Sequence, residues 1–133
     1  MFKNVLVGVD GRENGRDAIA LGTDLLDADG RLTLAHVHRD EQTGRADSHA
    51  LLEQERSRTG IQADLISVAG ESAAHGLHRQ AAEMEADVLV IGSCHRGTLG
   101  SVVLGDDSRD SVDGAPCTVA VAASGYAKRQ EAS

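Results

Sequence analysis

The chain has 133 residues, a length that suits one domain and leaves little room for a second. Asp and Glu outnumber Lys and Arg by 21 to 13, and the net charge of −8 excludes the basic surface that binds nucleic acid phosphates. One Phe, one Tyr and no Trp provide no stacking platform for single strands, and the short apolar runs exclude a membrane span. Cys94 and Cys117 fit neither a disulfide framework nor a paired metal site, and the N-terminus has no signal-peptide pattern. We therefore expect a small cytoplasmic domain with an aliphatic core.

Apolar strands and amphipathic helices alternate along the first half of the chain. Residues 3–9 are nearly all apolar and β-branched, which is typical of a strand buried on both faces. A helix is predicted over residues 12–28, where apolar residues recur at three- and four-residue steps. A second strand is predicted over residues 32–38, a second helix over 46–58, and a third strand near a sheet edge over 61–68.

The second half of the chain continues this alternation. A third helix is predicted to begin at Gly70-Glu71, and residues 88–91 form a fourth apolar strand. A last helix is predicted over residues 102–113, and residues 117–122 form a fifth strand that we expect to end the sheet.

Strands that alternate with helices imply crossover connections, a mainly parallel sheet and helices on both of its faces. The sequence therefore predicts a single three-layer α/β/α domain over residues 1–124. Residues 125–133 are polar and are predicted to form a flexible C-terminal tail.

Two strand ends carry residues that suit a ligand. Val9 and Asp10 end the first strand with a carboxylate, and a Gly- and Ser-rich loop over residues 92–105 follows the fourth. In an open parallel sheet the ligand crevice lies beyond the carboxyl ends of the strands, where the strand order reverses. The backbone amides of the loop and the guanidinium of Arg96 suit an anion. The chain has no GxxxxGK(S/T) motif, and its Gly-rich loop does not follow the first strand as the GxGxxG motif requires.

The histidine and cysteine side chains give weaker evidence, for a metal site or for a catalytic site. His36 and His38 share one strand face, and His75 and His78 lie three apart on a helix, but neither pair has a third ligand at a suitable spacing. Cys94 has a histidine beside it but no third group to orient a base, so a redox or nucleophilic role is the weaker alternative. We assign neither a metal site nor a catalytic residue.

Several segments agree in order and spacing with one protein family. They are VLVGVDG at residues 5–11, LAHV at 34–37, ADVLVIGS at 86–93, and LG and APCTVAV within 104–121. Through these segments the chain resembles the universal stress protein family from about residue 3 to residue 122. The resemblance implies a Rossmann-like, adenine nucleotide alpha hydrolase-like fold. Its five-stranded parallel sheet has the order 3-2-1-4-5, with a crevice between strands 1 and 4.

ATP-binding members of that family carry a Gly, two residues, a second Gly, nine residues, and a third Gly followed by Ser or Thr. Mapped onto this chain, the first and third glycines are Gly92 and Gly105, whereas His95 and Asp106 replace the second Gly and the Ser or Thr. His95 disfavours positive φ and a close backbone approach to phosphate. The Asp106 carboxylate at ~5 Å from a phosphate charge repels it by about 3 kcal/mol at an effective dielectric of ~20. Mg²⁺ held by Asp106 or Asp107, or the positive charges of Arg96 and Arg16, would offset this repulsion.

The adenosine half of the motif is better preserved. Asp10 matches the family position that approaches the ribose and adenine, and Val37 matches the strand residue whose backbone meets adenine. The alternative is that Asp10 only caps the first helix. The resemblance implies AMP, or ATP with Mg²⁺, as candidate ligands, and the other predicted nucleotide-binding residues are Val9, Gly92, Ser93, Arg96, Gly105 and Asp106.

The family often dimerises by antiparallel pairing of the fifth strands, which implies a homodimer through Thr118, Val119, Ala120, Val121 and Ala122. A monomer whose strand edge is shielded by the tail is the alternative. The resemblance implies a stress-linked binding or regulatory domain that is not an enzyme. Two other functions stay open: a dimeric interaction module that binds no nucleotide and, as the weakest, a nucleotide phosphoanhydride hydrolase.

Overall fold

A computed structural model describes residues 1–10, 13–39, 43–93, 102, 104 and 106–128 of the chain. Within these residues five strands alternate with four helices: β1 (Phe2–Gly8), α1 (Glu13–Leu25), β2 (Leu26–His38), α2 (Thr43–Thr59), β3 (Asp64–Ala69), α3 (Ala73–Glu83), β4 (Val88–Gly92), α4 (Asp106–Val112) and β5 (Thr118–Ala122). In the part of the chain covered by these ranges, no helix is long and apolar enough to cross a membrane.

The strands form one parallel sheet in the order β3-β2-β1-β4-β5, which confirms the predicted fold class. β1 lies at the centre, where Val5 pairs with Leu32 of β2 on one side and with Val88 of β4 on the other. The third and fifth strands lie at the two edges, as the sequence predicted.

Each face of the sheet carries its own hydrophobic core, and β1 contributes to both. Val5 and Val7 belong to the cluster that packs against α1 and α2, whereas Leu6 belongs to the cluster on the side of α3. All three side chains are fully buried. Alternation along a strand points successive side chains to opposite faces, so a nearly continuous apolar run is what a strand covered on both faces requires.

Polar contacts at the amino end of β1 join it to the turn before β4. The Asp87 carboxylate accepts hydrogen bonds from the backbone N–H groups of Lys3 and Asn4, at 3.1 and 2.9 Å. The Asn4 side chain donates to the carbonyls of Met84 and Glu85, at 2.6 and 3.2 Å. These bonds fix the position of β4 beside β1 at the end of the sheet opposite the predicted crevice.

The first helix is shorter than the sequence predicted. Expected to reach residue 28, α1 ends at Leu25, and β2 begins at Leu26 with no intervening loop. Leu26 pairs with Phe2 and packs against the core on the α1 side, so tertiary contacts outweigh the local helical spacing. The pairing then shifts register before Asn4, which pairs with Arg31.

Other boundaries also differ from the prediction: β2 begins at Leu26 rather than at residue 32, α2 at Thr43 rather than at 46, and α3 at Ala73 rather than at 70. The last helix begins at Asp106 rather than at residue 102. The third strand spans Asp64–Ala69 rather than 61–68. Residues 61–63 instead link α2 to β3, and the Arg56 guanidinium donates to the Ala63 carbonyl at 3.2 Å.

The first residues after position 124, predicted as tail, contact α1. The Asp17 carboxylate accepts hydrogen bonds from the backbone N–H groups of Gly125 and Ala127, at 3.0 and 2.9 Å. The Tyr126 hydroxyl donates to the Asp24 carboxylate at 2.6 Å. Asp17 is only 7% exposed, so its charge is compensated chiefly by these amides. Residues 125–128 are therefore held against α1, and residues 129–133 lie outside the described residues.

We expect Asp17→Ala to lower the free energy of unfolding by about 2 kcal/mol, because two charge-assisted hydrogen bonds are lost. Deleting residues 125–133 should cause a similar loss, and adding Asp17→Ala to the shortened chain should change little further. Urea unfolding of the four proteins measures these values, with Asp29→Ala as a matched control at an exposed position. If the deletion and the substitution lower the free energy of unfolding additively, Asp17 does not act through its hydrogen bonds with residues 125–127.

Candidate functional site

A cleft opens at the carboxyl edge of the sheet, around the end of β1. The strand order reverses here, because the chain runs from β1 outward through β2 to β3 and returns to β4 and β5 on the other side. The cleft is partly open to solvent and has a cavity volume of about 110 Å³. Its lining residues come from three strand ends and from α1, α3 and α4: Gly8, Val9, Asp10, Gly15, Ala35, His36, Val37, Ala73, Leu77, Ile91, Gly92 and Ser111.

The structure brings four of the predicted site residues together in this cleft: Val9, Asp10, Val37 and Gly92. The Val9 N–H donates to the Ala35 carbonyl at 2.8 Å, which extends the β1–β2 pairing by one residue beyond Gly8. Asp10 follows directly and is exposed at the mouth of the cleft. The pairing of β1 with β2 thus sets the position of this carboxylate.

The other predicted site residues fall into three groups. Ser93 is buried, and its hydroxyl donates to the Ala122 carbonyl at 2.6 Å, which ties the end of β4 to the end of β5. Asp106 is the first residue of α4. The remaining three, His95, Arg96 and Gly105, lie outside the described residues.

Two glycines allow α3 to pack closely against the sheet and form one side of the cleft. A Cβ on Gly76 of α3 would lie 2.8 Å from a methyl carbon of Val37, and one on Gly8 would lie 2.8 Å from a methyl carbon of Leu77. Because glycine has no Cβ, α3 approaches the ends of β1 and β2 closely enough to place Val37 and Leu77 in the cleft wall.

One polar lining residue of the cleft, His36, was not identified by the sequence as part of the site. His36 lines the cleft, and its Nδ1 makes a close hydrogen bond with the hydroxyl of Ser48, a fully buried residue of α2. The same hydroxyl lies 3.3 Å from the His36 backbone carbonyl. Burial lowers the pKa of His36, with the negative charge of Asp10 acting against this shift and His38 adding to it.

The histidines that the sequence suggested as metal ligands make other contacts in the structure. His38 is buried at the end of β2, and the His78 Nε2 lies 2.6 Å from the Ser111 carbonyl, which joins α3 to α4. Among the residues described by the structure, no group of three or more His, Cys, Asp or Glu side chains is arranged to hold a metal ion.

Comparison with protein families gives a match to the universal stress protein family over residues 1–123. The chain belongs to the universal stress protein family. The match covers all five strands and all four helices described above. A comparison with curated protein sequences gives no significant match.

Solved structures of this family share the fold of the chain. One, a universal stress protein in complex with cAMP, is 20% identical, with a TM-score of 0.71 and coverage of 90% of this chain and 96% of that one. A universal stress protein family member from Burkholderia pseudomallei is 18% identical, with a TM-score of 0.65 and coverage of 92% and 97%. UspA from Lactobacillus plantarum is 21% identical, with a TM-score of 0.60 and coverage of 90% and 97%. At these identities the likeness establishes the fold.

The charges of two other side chains act on Glu55 of α2 in this universal stress protein. Burial raises the pKa of Glu55 on α2, whereas the positive charge of Arg16 lowers it and the negative charge of Asp10 raises it further. Glu55 also forms an ion pair with Arg58. Arg16, exposed on α1, therefore supplies positive charge on the same side of the molecule as Asp10.

Proposed function

We propose that this universal stress protein is a cytoplasmic binding and regulatory domain whose cleft takes an adenine nucleotide with few phosphate charges, such as AMP. The observation that best supports this proposal is that Asp10, Val37 and Gly92 line one cleft, at the point where the strand order reverses. A carboxylate at the cleft mouth suits ribose hydroxyls, and the apolar wall at Val37 suits the face of a purine. The structural similarity to a universal stress protein in complex with cAMP supports the same ligand class.

The acidic start of α4 is the reason for placing AMP ahead of ATP. Asp106 occupies the family's Ser or Thr position, and Asp107 adds a second negative charge next to it. Carboxylates at a helix start compete with phosphate for the same backbone amides. ATP with Mg²⁺ is the second candidate ligand, because a divalent cation bound by these carboxylates would bridge them to the phosphates.

The proposal is one of binding rather than turnover. Asp10 and His36 are the two titratable side chains among the described residues that line the cleft. Hydrolysis of a phosphoanhydride needs an activated water together with stabilisation of phosphate charge, and the acidic residues at the start of α4 oppose the second requirement. A nucleotide hydrolase is therefore the weakest of the functions considered.

Isothermal titration tests the ligand class directly. We expect heat of binding from adenosine and AMP, and an AMP affinity about tenfold lower for Asp10→Ala, because a charge-assisted hydrogen bond is lost. Asp29→Ala, which removes the same charge at an exposed position in β2, should leave the affinity unchanged. The absence of binding heat for adenosine, AMP, ADP and ATP, with and without Mg²⁺, would overturn the proposal.

The altered phosphate motif has its own test. The double substitution His95→Gly with Asp106→Ser should raise the affinity for ATP by about tenfold or more, because a bulky side chain and a repulsive charge are both removed. The same titration on His95→Gly with Asp110→Ser is the matched control, since Asp110 carries an equal charge on the exposed surface of α4. An unchanged ATP affinity in the first variant would mean that His95 and Asp106 are not the residues that weaken ATP binding.

We further propose a homodimer in which the β5 strands of two copies pair antiparallel. β5 pairs with β4 on one side, and its other side is an edge of the sheet with partly exposed residues. An apolar edge strand is prone to associate with another strand. Light scattering should give twice the mass of one chain, and the mass of a single chain at micromolar concentration would exclude both this dimer and the dimeric interaction module.

A further inference from the structure

A second cavity, the α1–α2 groove, lies between Ile19 and Thr23 of α1 and Arg58 and Thr59 at the end of α2. α1 packs mainly over β1 and β4, whereas α2 packs over β2 and β3, so the described residues of the two helices make little direct contact with each other. The groove has a cavity volume of about 380 Å³, which is larger than that of the cleft and lies within the range of about 300–1,000 Å³ for small-molecule sites. None of its described lining residues also lines the cleft.

The floor of the α1–α2 groove is apolar. Ile19 of α1 is almost fully buried, and Ile61, which follows α2, packs against the same hydrophobic core. Ala20, half-buried on α1, lines the groove next to Ile19. An aliphatic group bound on this floor removes apolar surface at the edge of the core from water, which favours binding.

Two guanidinium groups are the side-chain hydrogen-bond donors among the described residues that line this groove, Arg16 from α1 and Arg58 from α2. The hydroxyls of Thr23 and Thr59 already donate to the carbonyls four residues earlier in their own helices, at 2.8 and 2.9 Å. A threonine hydroxyl has one proton, so neither residue has a proton left for a ligand. The polar group that the groove recognises is therefore an acceptor.

The two guanidinium groups share one carboxylate, that of Glu55. Arg58 forms a close ion pair with Glu55, whose side chain is only 12% exposed. Arg16 is exposed, its charge also acts on Glu55, and it forms no ion pair with another residue that the structure describes. Asp10, whose charge also acts on Glu55, lines the cleft and not the groove. The groove thus has room for one further negative charge beside its two cations.

The carboxylate of Asp24 lies at a different level of α1. It accepts a hydrogen bond from the Tyr126 hydroxyl at 2.6 Å. Asp24 follows Arg16 by eight residues, which corresponds to about 12 Å along a helix and exceeds the screening length of about 8 Å at physiological salt. Asp24 therefore leaves the charge of Arg16 largely uncompensated, and it disfavours a ligand with a second negative group.

We propose that the α1–α2 groove is a second ligand site, which binds an amphipathic monocarboxylate, that is, a molecule with one carboxylate on an aliphatic chain. Its carboxylate accepts hydrogen bonds from Arg16 and Arg58, because a guanidinium pairs with a carboxylate through two parallel N–H donors. Its chain lies on the apolar floor at Ile19 and Ile61. The inference is independent of the proposed nucleotide site, because the two cavities have different walls.

Octanoate, octanol and octylammonium are the probes, since they share one aliphatic chain and differ in the charge of the head group. In calorimetric titrations at pH 7.5, octanoate should bind at least about tenfold more tightly than octanol, because octanol forms no charge-assisted hydrogen bond with the guanidinium groups. Octylammonium should bind more weakly than octanol, because the two guanidinium groups repel its positive charge.

Substitutions locate the site. Arg16→Ala should weaken octanoate binding by about tenfold and leave the affinity for octanol unchanged. Arg45→Ala, which removes the same charge from an exposed position of α2 outside the groove, is the matched control and should change neither affinity. Ala20→Phe fills the groove from α1 and should abolish the binding of both compounds. Cooperative urea unfolding of each variant verifies that it is folded.

Three results would overturn the inference. Equal affinities for octanoate and octanol would mean that the groove does not recognise a carboxylate. Octanoate binding that persists in Ala20→Phe would mean that octanoate binds at another site. The third is the absence of binding heat from octanoate together with an unchanged midpoint of thermal unfolding at millimolar octanoate. All three leave the proposed adenine nucleotide site untouched, because that site is tested with AMP.

Discussion

The double pairing of β1 is the constraint on which the rest of the molecule depends. β1 is hydrogen-bonded to β2 on one side and to β4 on the other, and its three central side chains are fully buried in two different cores. β2 follows β1 directly along the chain, whereas the chain reaches β4 only after β3, so the strand order reverses at β1. The cleft lies at this reversal, so its position follows from where the first strand lies.

The two walls of the cleft are built by different physical means. On the α3 side, the absence of a Cβ at Gly76 and Gly8 lets apolar side chains and backbone approach closely. On the α2 side, a buried hydroxyl satisfies its hydrogen bonds by holding a histidine. The contacts of the first wall are apolar, whereas those of the second are hydrogen bonds.

Local signals predicted a single α/β domain with a mainly parallel sheet, and the family resemblance supplied the strand order. Continuous apolar runs mark the central strands, and the alternation of strands with helices requires crossovers. Asp10 was predicted to lie at the crevice because it directly follows a strand, and it lines the cleft. By contrast, the early end of α1 at Leu25 depends on the packing of Leu26 against distant residues. The contact between His36 and Ser48 also escaped prediction, since strand alternation gives the face of a side chain but not its partner across a helix.

The contacts of Asp17 have a consequence for how the protein is made. The N–H groups that bind this carboxylate come from residues 108 and 110 positions further along the chain, and the bonds between the Asn4 side chain and the turn before β4 span 80 and 81 positions. During synthesis on the ribosome, the first strand and helix emerge long before either set of partners exists. Contacts of such large sequence separation slow folding and leave apolar surface exposed in the meantime. The nascent domain therefore completes these contacts only after Gly125 and Ala127 have left the ribosome.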